Sequence, residues 1–144
     1  MIMKGLIFLL LMVAGRASHS NAQKLNESQI PVIVKHAFEK KYPGIKAGWD
    51  REDPNYEANF TQNGRAMSTV IDKSGTIVET EIQISVSELP VVVRDYMKKN
   101  YPGLKIEDAA RIVRSNGEVN YEAEVHGKDV VFDVNGKFIK EMKD

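Results

Sequence analysis

The chain has 144 residues, with 20 lysine and arginine side chains against 20 aspartate and glutamate, three histidines and no cysteine. Balanced charge excludes the basic footprint of a nucleic-acid binder or of a protein held on an anionic membrane surface. The lack of cysteine excludes disulfides, so packing alone must hold the fold.

Lys4, the apolar run from Gly5 to Gly15 and the small and polar residues up to Ala22 follow the order of a secretory signal. The run is about half the ~20 residues that a bilayer-spanning helix needs, so cleavage rather than membrane insertion is expected. Ser20 and Ala22 occupy the positions that a signal peptidase reads if cleavage falls before Gln23. Residues 1–22 are therefore read as a signal peptide, and the mature chain as periplasmic or secreted. Loss of Lys4 and Arg16 leaves 18 basic against 20 acidic groups.

Ile30 to Lys46 aligns without a gap to Leu89 to Lys105, with eight of 17 pairs identical. Asn55 to Phe60 is echoed by Asn120 to Val125, and Ile71 to Gly75 by Phe132 to Gly136. Two units are expected, residues 23–84 and 85–144. Each opens with a helix signal: Ser28 and Ser87 are placed as N-caps, with Pro31 and Pro90 in the first turn, where a missing N–H costs nothing. Ile30, Val34, Ala37 and Phe38 recur at helical spacing, as do Leu89, Val93, Tyr96 and Met97. Lysines at both C-terminal ends complement the helix dipole. Tyr42-Pro43-Gly44 and Tyr101-Pro102-Gly103 then stop each helix, because proline disfavours helical geometry in the residue before it and glycine permits the reversal. A tyrosine packed over the end of the core and a tyrosine that contacts a ligand are both readings of that position.

Strand patterns follow each stop, roughly at Ile45 to Arg51, Tyr56 to Gln62, Arg65 to Ile71 and Thr76 to Ile84, then at Lys105 to Arg114, Val119 to His126, Lys128 to Asp133 and Lys137 to Met142. Tyr56, Ala58 and Phe60 alternate with Glu57, Asn59 and Thr61. Tyr121, Ala123 and Val125 alternate with Glu122, Glu124 and His126. Period two with one polar side predicts a sheet covered on one face only. Asn63-Gly64 and Gly127 supply tight turns between adjacent strands, which must then run antiparallel. The expected fold class is α+β, a tandem repeat of one helix followed by a four-stranded antiparallel meander, with the helices packed on one face of the sheets.

A helix ending in Tyr-Pro-Gly, the paired Asn-Tyr-Glu-Ala stretches and the Asp-x-x-Gly turns resemble the beta-lactamase-inhibitor-like, PepSY-like family of Bacteroidetes-type bacteria, over about Ser28 to Met142. The resemblance implies a curved sheet with helices behind it, and a role in binding or inhibiting another protein. It carries over no catalytic residue.

Catalysis advertises itself through clustered titratable or metal-binding groups, and the expected mature chain offers only His36 and His126. Neither a phosphate loop, a nucleophile elbow nor an H-E-x-x-H pattern occurs, so no enzyme and no cofactor are expected. Asp50, Glu52 and Asp53, with Glu107 and Asp108 later, are carboxylates without the glycine and spacing of a calcium loop. No metal site is assigned to them; they read as charged strand edges, with a cation-holding cluster as the alternative. Binding needs exposed anchors. Trp49 is the only tryptophan and has no aromatic counterpart in the second unit, which marks it as a partner contact or as core. Trp49, Glu57, Asn59, Thr61, Glu122, Glu124 and His126 form the candidate partner-binding set. The expected function is a non-enzymatic binding module of the envelope, such as a peptidase-inhibitor-like protein, with another envelope protein or peptide as partner. An envelope sensor of a cation or small ligand is the second reading.

Overall fold

The structure is a computed structural model that describes residues 23–143. The signal-peptide reading of residues 1–22, with Ser20 and Ala22, lies outside the described residues. Nine strands run β1 (Gln23–Leu25), β2 (Gly48–Glu52), β3 (Asn55–Gln62), β4 (Arg65–Ile71), β5 (Ile77–Ile84), β6 (Asp108–Arg114), β7 (Val119–Glu124), β8 (Lys128–Asp133) and β9 (Phe138–Lys143). Two helices, α1 (Val32–Lys41) and α2 (Val91–Asn100), precede β2 and β6.

All nine strands belong to one antiparallel sheet, in chain order from β1 to β9. This corrects the expected fold class of repeated helix-plus-four-strand meanders. Separate meanders would each leave a row of unpaired N–H and C=O groups at the junction, an edge open to wrong pairing. Instead β5 pairs with β6 from Glu79 opposite Arg114 to Ile84 opposite Ala109. A further strand, β1, pairs with β2 through Leu25 opposite Trp49. Turn motifs mark hairpins, but the β5–β6 ladder spans the whole of α2 and has no local signature.

Both helices lie on one face. Val34 and Phe38 of α1, with Ile30 and Tyr42, are buried against Trp49, Tyr56, Ala58, Phe60 and Ile71. Val93 and Met97 of α2, with Leu89, are buried against Ala109, Ala123, Val125, Val130 and Phe132. Each fully buried aliphatic or aromatic side chain stabilises by about 1.5–3 kcal/mol. Phe38 also meets Trp49 and Phe60 edge to face, with centroids 5.5 and 5.1 Å apart, an arrangement that adds about 0.5–1.5 kcal/mol per pair.

The helix starts differ from expectation. Ser28 and Ser87 sit inside short 3-10 turns, Glu27–Gln29 and Val86–Glu88, that precede the helices. In each turn the last residue reaches back to the residue before the first: Asn26 N–H donates to Gln29 Oε1 at 2.8 Å and Ser85 N–H to Glu88 Oε2 at 2.7 Å. These reciprocal caps satisfy the turns on their own, and Pro31 and Pro90 then stand as the N-cap residues. The stops behave alike in backbone, with Tyr42 at φ −128° and Tyr101 at φ −127°. Their side chains do not: Tyr42 is buried in the aromatic cluster, while half-buried Tyr101 donates to a carboxylate oxygen of Glu141 in β9. Lys128 Nζ holds the other oxygen of Glu141 at 2.8 Å.

The β8–β9 turn closes against α2. Gly136 has φ +81°, and a Cβ there would lie 3.0 Å from Val92 Cβ. Gly117 has a similar φ, +85°, with nothing within 4 Å of the same point. Gly117→Ala is therefore expected to lose about 1–2 kcal/mol from left-handed strain. Gly136→Ala should lose more, because Val92 must also move, and paired urea denaturation curves would measure the difference.

Candidate functional site

Alternation along the strands points every second side chain away from the helices. On that face the register sets Asp50 beside Glu57, Ser68 beside Glu81, Glu79 beside Arg114 and Ala110 beside Glu122. Lys140 follows opposite Val131. Among the described strand residues of this face, Lys24 opposite Asp50 at the exposed edge, Arg114 and Lys140 are the cations set against this group of carboxylates.

Burial on this uncovered side, together with charge coupling across strands, points to a sheet that curls toward it, making the face concave. Glu79 in β5 and Lys140 in β9 influence each other's charge, although flat strands about 4.8 Å apart would place those strands roughly 19 Å from one another. Register shifts between Val70 and Ile71 and between Val131 and Phe132 mark irregularities of the kind that bend strands. Curling removes water from side chains that would be solvated on a flat sheet. Glu57 and Glu81 are each 3% exposed, and Glu52, Glu79 and Asp129 are buried as well.

Burial of like charges controls the protonation of this face. Burial, followed by the charges of Glu79 and Asp50, pushes the Glu52 carboxyl up to about 7. Burial and the charge of Glu52 push Glu57 up to about 8, against hydrogen bonds from Ser68 and Asn59 that pull it down. Glu81 is raised well above the ordinary carboxylate range by burial and then by Glu122, Glu79, Glu57 and Asp129. Glu79 is raised by burial despite its ion pair with Arg114, Nε to Oε2 at 3.1 Å. The guanidinium of Arg114 also meets Glu118 at 3.3 Å and donates to Asn120. Glu57 Oε1 is buried and accepts no hydrogen bond.

The residues expected to bind a partner are distributed over this geometry unevenly. Glu57, Asn59, Glu122 and Glu124 stand on the acidic face, Glu57 buried and the others half-buried. Asn59 Nδ2 donates to Asp50 Oδ2 at 2.9 Å. Thr61 is exposed near the end of β3. Trp49 lies on the opposite face, buried against Phe38, and its edge borders an open cleft of about 440 Å³ with Lys35, Glu39 and Pro43. His126 takes φ +51° in the β7–β8 turn, with its exposed Nδ1 3.9 Å from Glu107. Asp50 and Glu52 join the acidic face, whereas Asp53 pairs with Arg51 at 3.1 Å at the surface. Among the described residues, no three His, Cys, Asp or Glu are grouped to hold a metal ion.

Sequence reasoning missed Glu79, Glu81, Asp129, Arg114 and Lys140. Val78-Glu-Thr-Glu-Ile82 carries the signal for Glu79 and Glu81, since it alternates with the same period as β3 and β7.

The raised carboxyls make stability depend on pH. A group that holds its proton more tightly when folded contributes stability that is complete below its ordinary value, near 4.5, and lost as pH rises through its folded value. Urea midpoints are expected to fall steadily between pH 5 and pH 9, through about 7 for Glu52 and about 8 for Glu57. Glu57→Gln, which keeps the shape and removes the charge, should leave the midpoint at pH 5.5 nearly unchanged and raise it at pH 8.5.

Comparison with known proteins places this geometry in a family. The profile described as "Putative beta-lactamase-inhibitor-like, PepSY-like" matches residues 17–78 and 54–140. A DUF2874 family protein from Bacteroides uniformis is similar in structure at 20% identity and a TM-score of 0.72, over 79% of this chain and 89% of that one. A protein from Bacteroides eggerthii described as "putative periplasmic" shows 16% identity and a TM-score of 0.72, over 78% and 88% of the two chains. A BLIP-like protein from Bacteroides fragilis shows 23% identity and a TM-score of 0.60, over 78% and 85%. At these identities the likeness is one of fold. No curated protein matches the chain. The two profile matches together cover most of its length, and the chain belongs to the beta-lactamase-inhibitor-like, PepSY-like family.

Proposed function

We propose that the chain is a periplasmic, non-enzymatic binding protein that receives another envelope protein or a peptide on the concave face of its sheet. The observation that carries this reading is the convergence of buried carboxylates on the helix-free side, where Glu57, Glu79 and Glu81 are nearly sealed from water. A fold that needed only stability would place apolar or solvated groups there, since a buried charge without a partner is costly. Membership in a family described as inhibitor-like supports binding over catalysis. The signal-like order of residues 1–22 and the description of the Bacteroides eggerthii neighbour support the periplasm.

Photo-cross-linking in living cells tests the surface. A photoreactive residue at Thr61, exposed near the rim of the concave face, is expected to capture a discrete envelope partner. The same residue at Val91, exposed on α2 on the other side of the sheet, should capture none, and Glu122→Lys should abolish the Thr61 product. Capture from Val91 alone would reverse the assignment.

A further inference from the structure

The acidic face, read as the binding surface proposed above, also points to the chemistry of its partner. Glu57 is 97% buried by its 3% exposure, and its Oε1 has no donor. The groups closest in charge to it, Glu52 and Asp50 of β2, are carboxyls too and carry no positive charge. Glu81 of β5 feels Glu57 from the other side, across Ser68 and Val70 of β4. What this set lacks is a donor that carries positive charge.

The chain's own cations do not fill that need. Arg114 of β6 is committed to Glu79, Glu118 and Asn120. Lys140 of β9 faces Glu79 and Glu122, Lys24 of β1 is exposed opposite Asp50 and is not among the charges that act on Glu57, and Arg51 lies over the Tyr56 ring on the helix side, paired with Asp53. A divalent cation is a poor occupant, since calcium takes about six to eight oxygens at short range and no three of the described acids are grouped for one.

We propose that the concave face binds a partner segment rich in arginine or lysine, one of whose guanidinium or ammonium groups donates to Glu57 Oε1. A guanidinium suits the site better than an ammonium, because its planar fork can reach Glu57 and a neighbouring carboxylate together. Burial and the adjoining acids hold the Glu57 proton to about pH 8, so seating a cation expels that proton, and affinity rises with pH. The charged groups set around Glu57 on this face are Lys24 of β1, opposite Asp50, Asp50 and Glu52 of β2 and Glu81 of β5, with Glu79 of β5 acting through Glu52 and Glu81 and Asp129 of β8 through Glu81.

The probes are a short peptide with several arginines, its lysine and glutamate counterparts, and calcium chloride alone, each titrated into the folded chain by NMR and calorimetry. The arginine peptide is expected to bind saturably, to shift the amides of Asp50, Glu57, Ser68 and Glu81, to weaken with added salt, and to bind more tightly at pH 8.5 than at pH 6. Glu57→Gln should weaken it about tenfold or more, the scale of a lost charge-assisted hydrogen bond, and flatten the pH dependence. Glu52→Gln gives a second reading of the same loss if the first variant folds poorly. Equal binding of the glutamate peptide, or unchanged affinity in both variants, overturns the inference. So does calcium that saturates the same amides and displaces the arginine peptide. Failure of every peptide while Thr61 still cross-links a partner in cells would refute the cationic segment and leave the binding surface standing.

Discussion

The ladder between β5 and β6 is the constraint on which the other features rest. Without it, α1 and α2 would each cover a small sheet with an open edge at the junction. With it, the two apolar clusters share one continuous support, and the far side of that support becomes long enough to curl. The curl in turn brings Glu79 of β5 within the influence of Lys140 of β9 and shields Glu57 and Glu81 from water. A local backbone pairing thereby sets the electrostatics of a whole surface.

That surface combines two conditions that rarely coexist. Its carboxylates are buried enough to prefer their protons, yet they stand on the side that no described helix covers. Titration near neutral pH follows from this combination, because desolvation and like charge raise the same groups. Arg114 offsets part of the strain at Glu79 but does not extend to Glu57, whose free oxygen is the least compensated polar atom of the face. Family membership and the fold of its neighbours make a binding surface the natural context for such an atom; the partner itself is a matter of chemistry at the face.

Much of the architecture was legible from residue pattern. Period two in Asn55 to Phe60 and Asn120 to Val125 located β3 and β7, and the Tyr-Pro-Gly corners located the ends of both helices. The union of the strands into one sheet was not legible, because pairing between β5 and β6 depends on where α2 delivers the chain and on no turn residue. The same limit applied to the site. Alternation tells which side Glu57 and Glu122 face, but a polar side is not always a wet one, and curvature is what separates the two. Ser28 and Ser87 illustrate a smaller miss: a serine before a helix is a sound cap signal, but Gln29 and Glu88 closed a separate turn first.

The last strand has a bearing on how this molecule meets others. Lys140, Glu141 and Lys143 load β9 with charge, and Glu141 is anchored from two directions by Lys128 and Tyr101. A border so furnished is a poor template for an incoming backbone. Visitors are thereby steered away from zipping onto the rim and toward the hollow of the sheet.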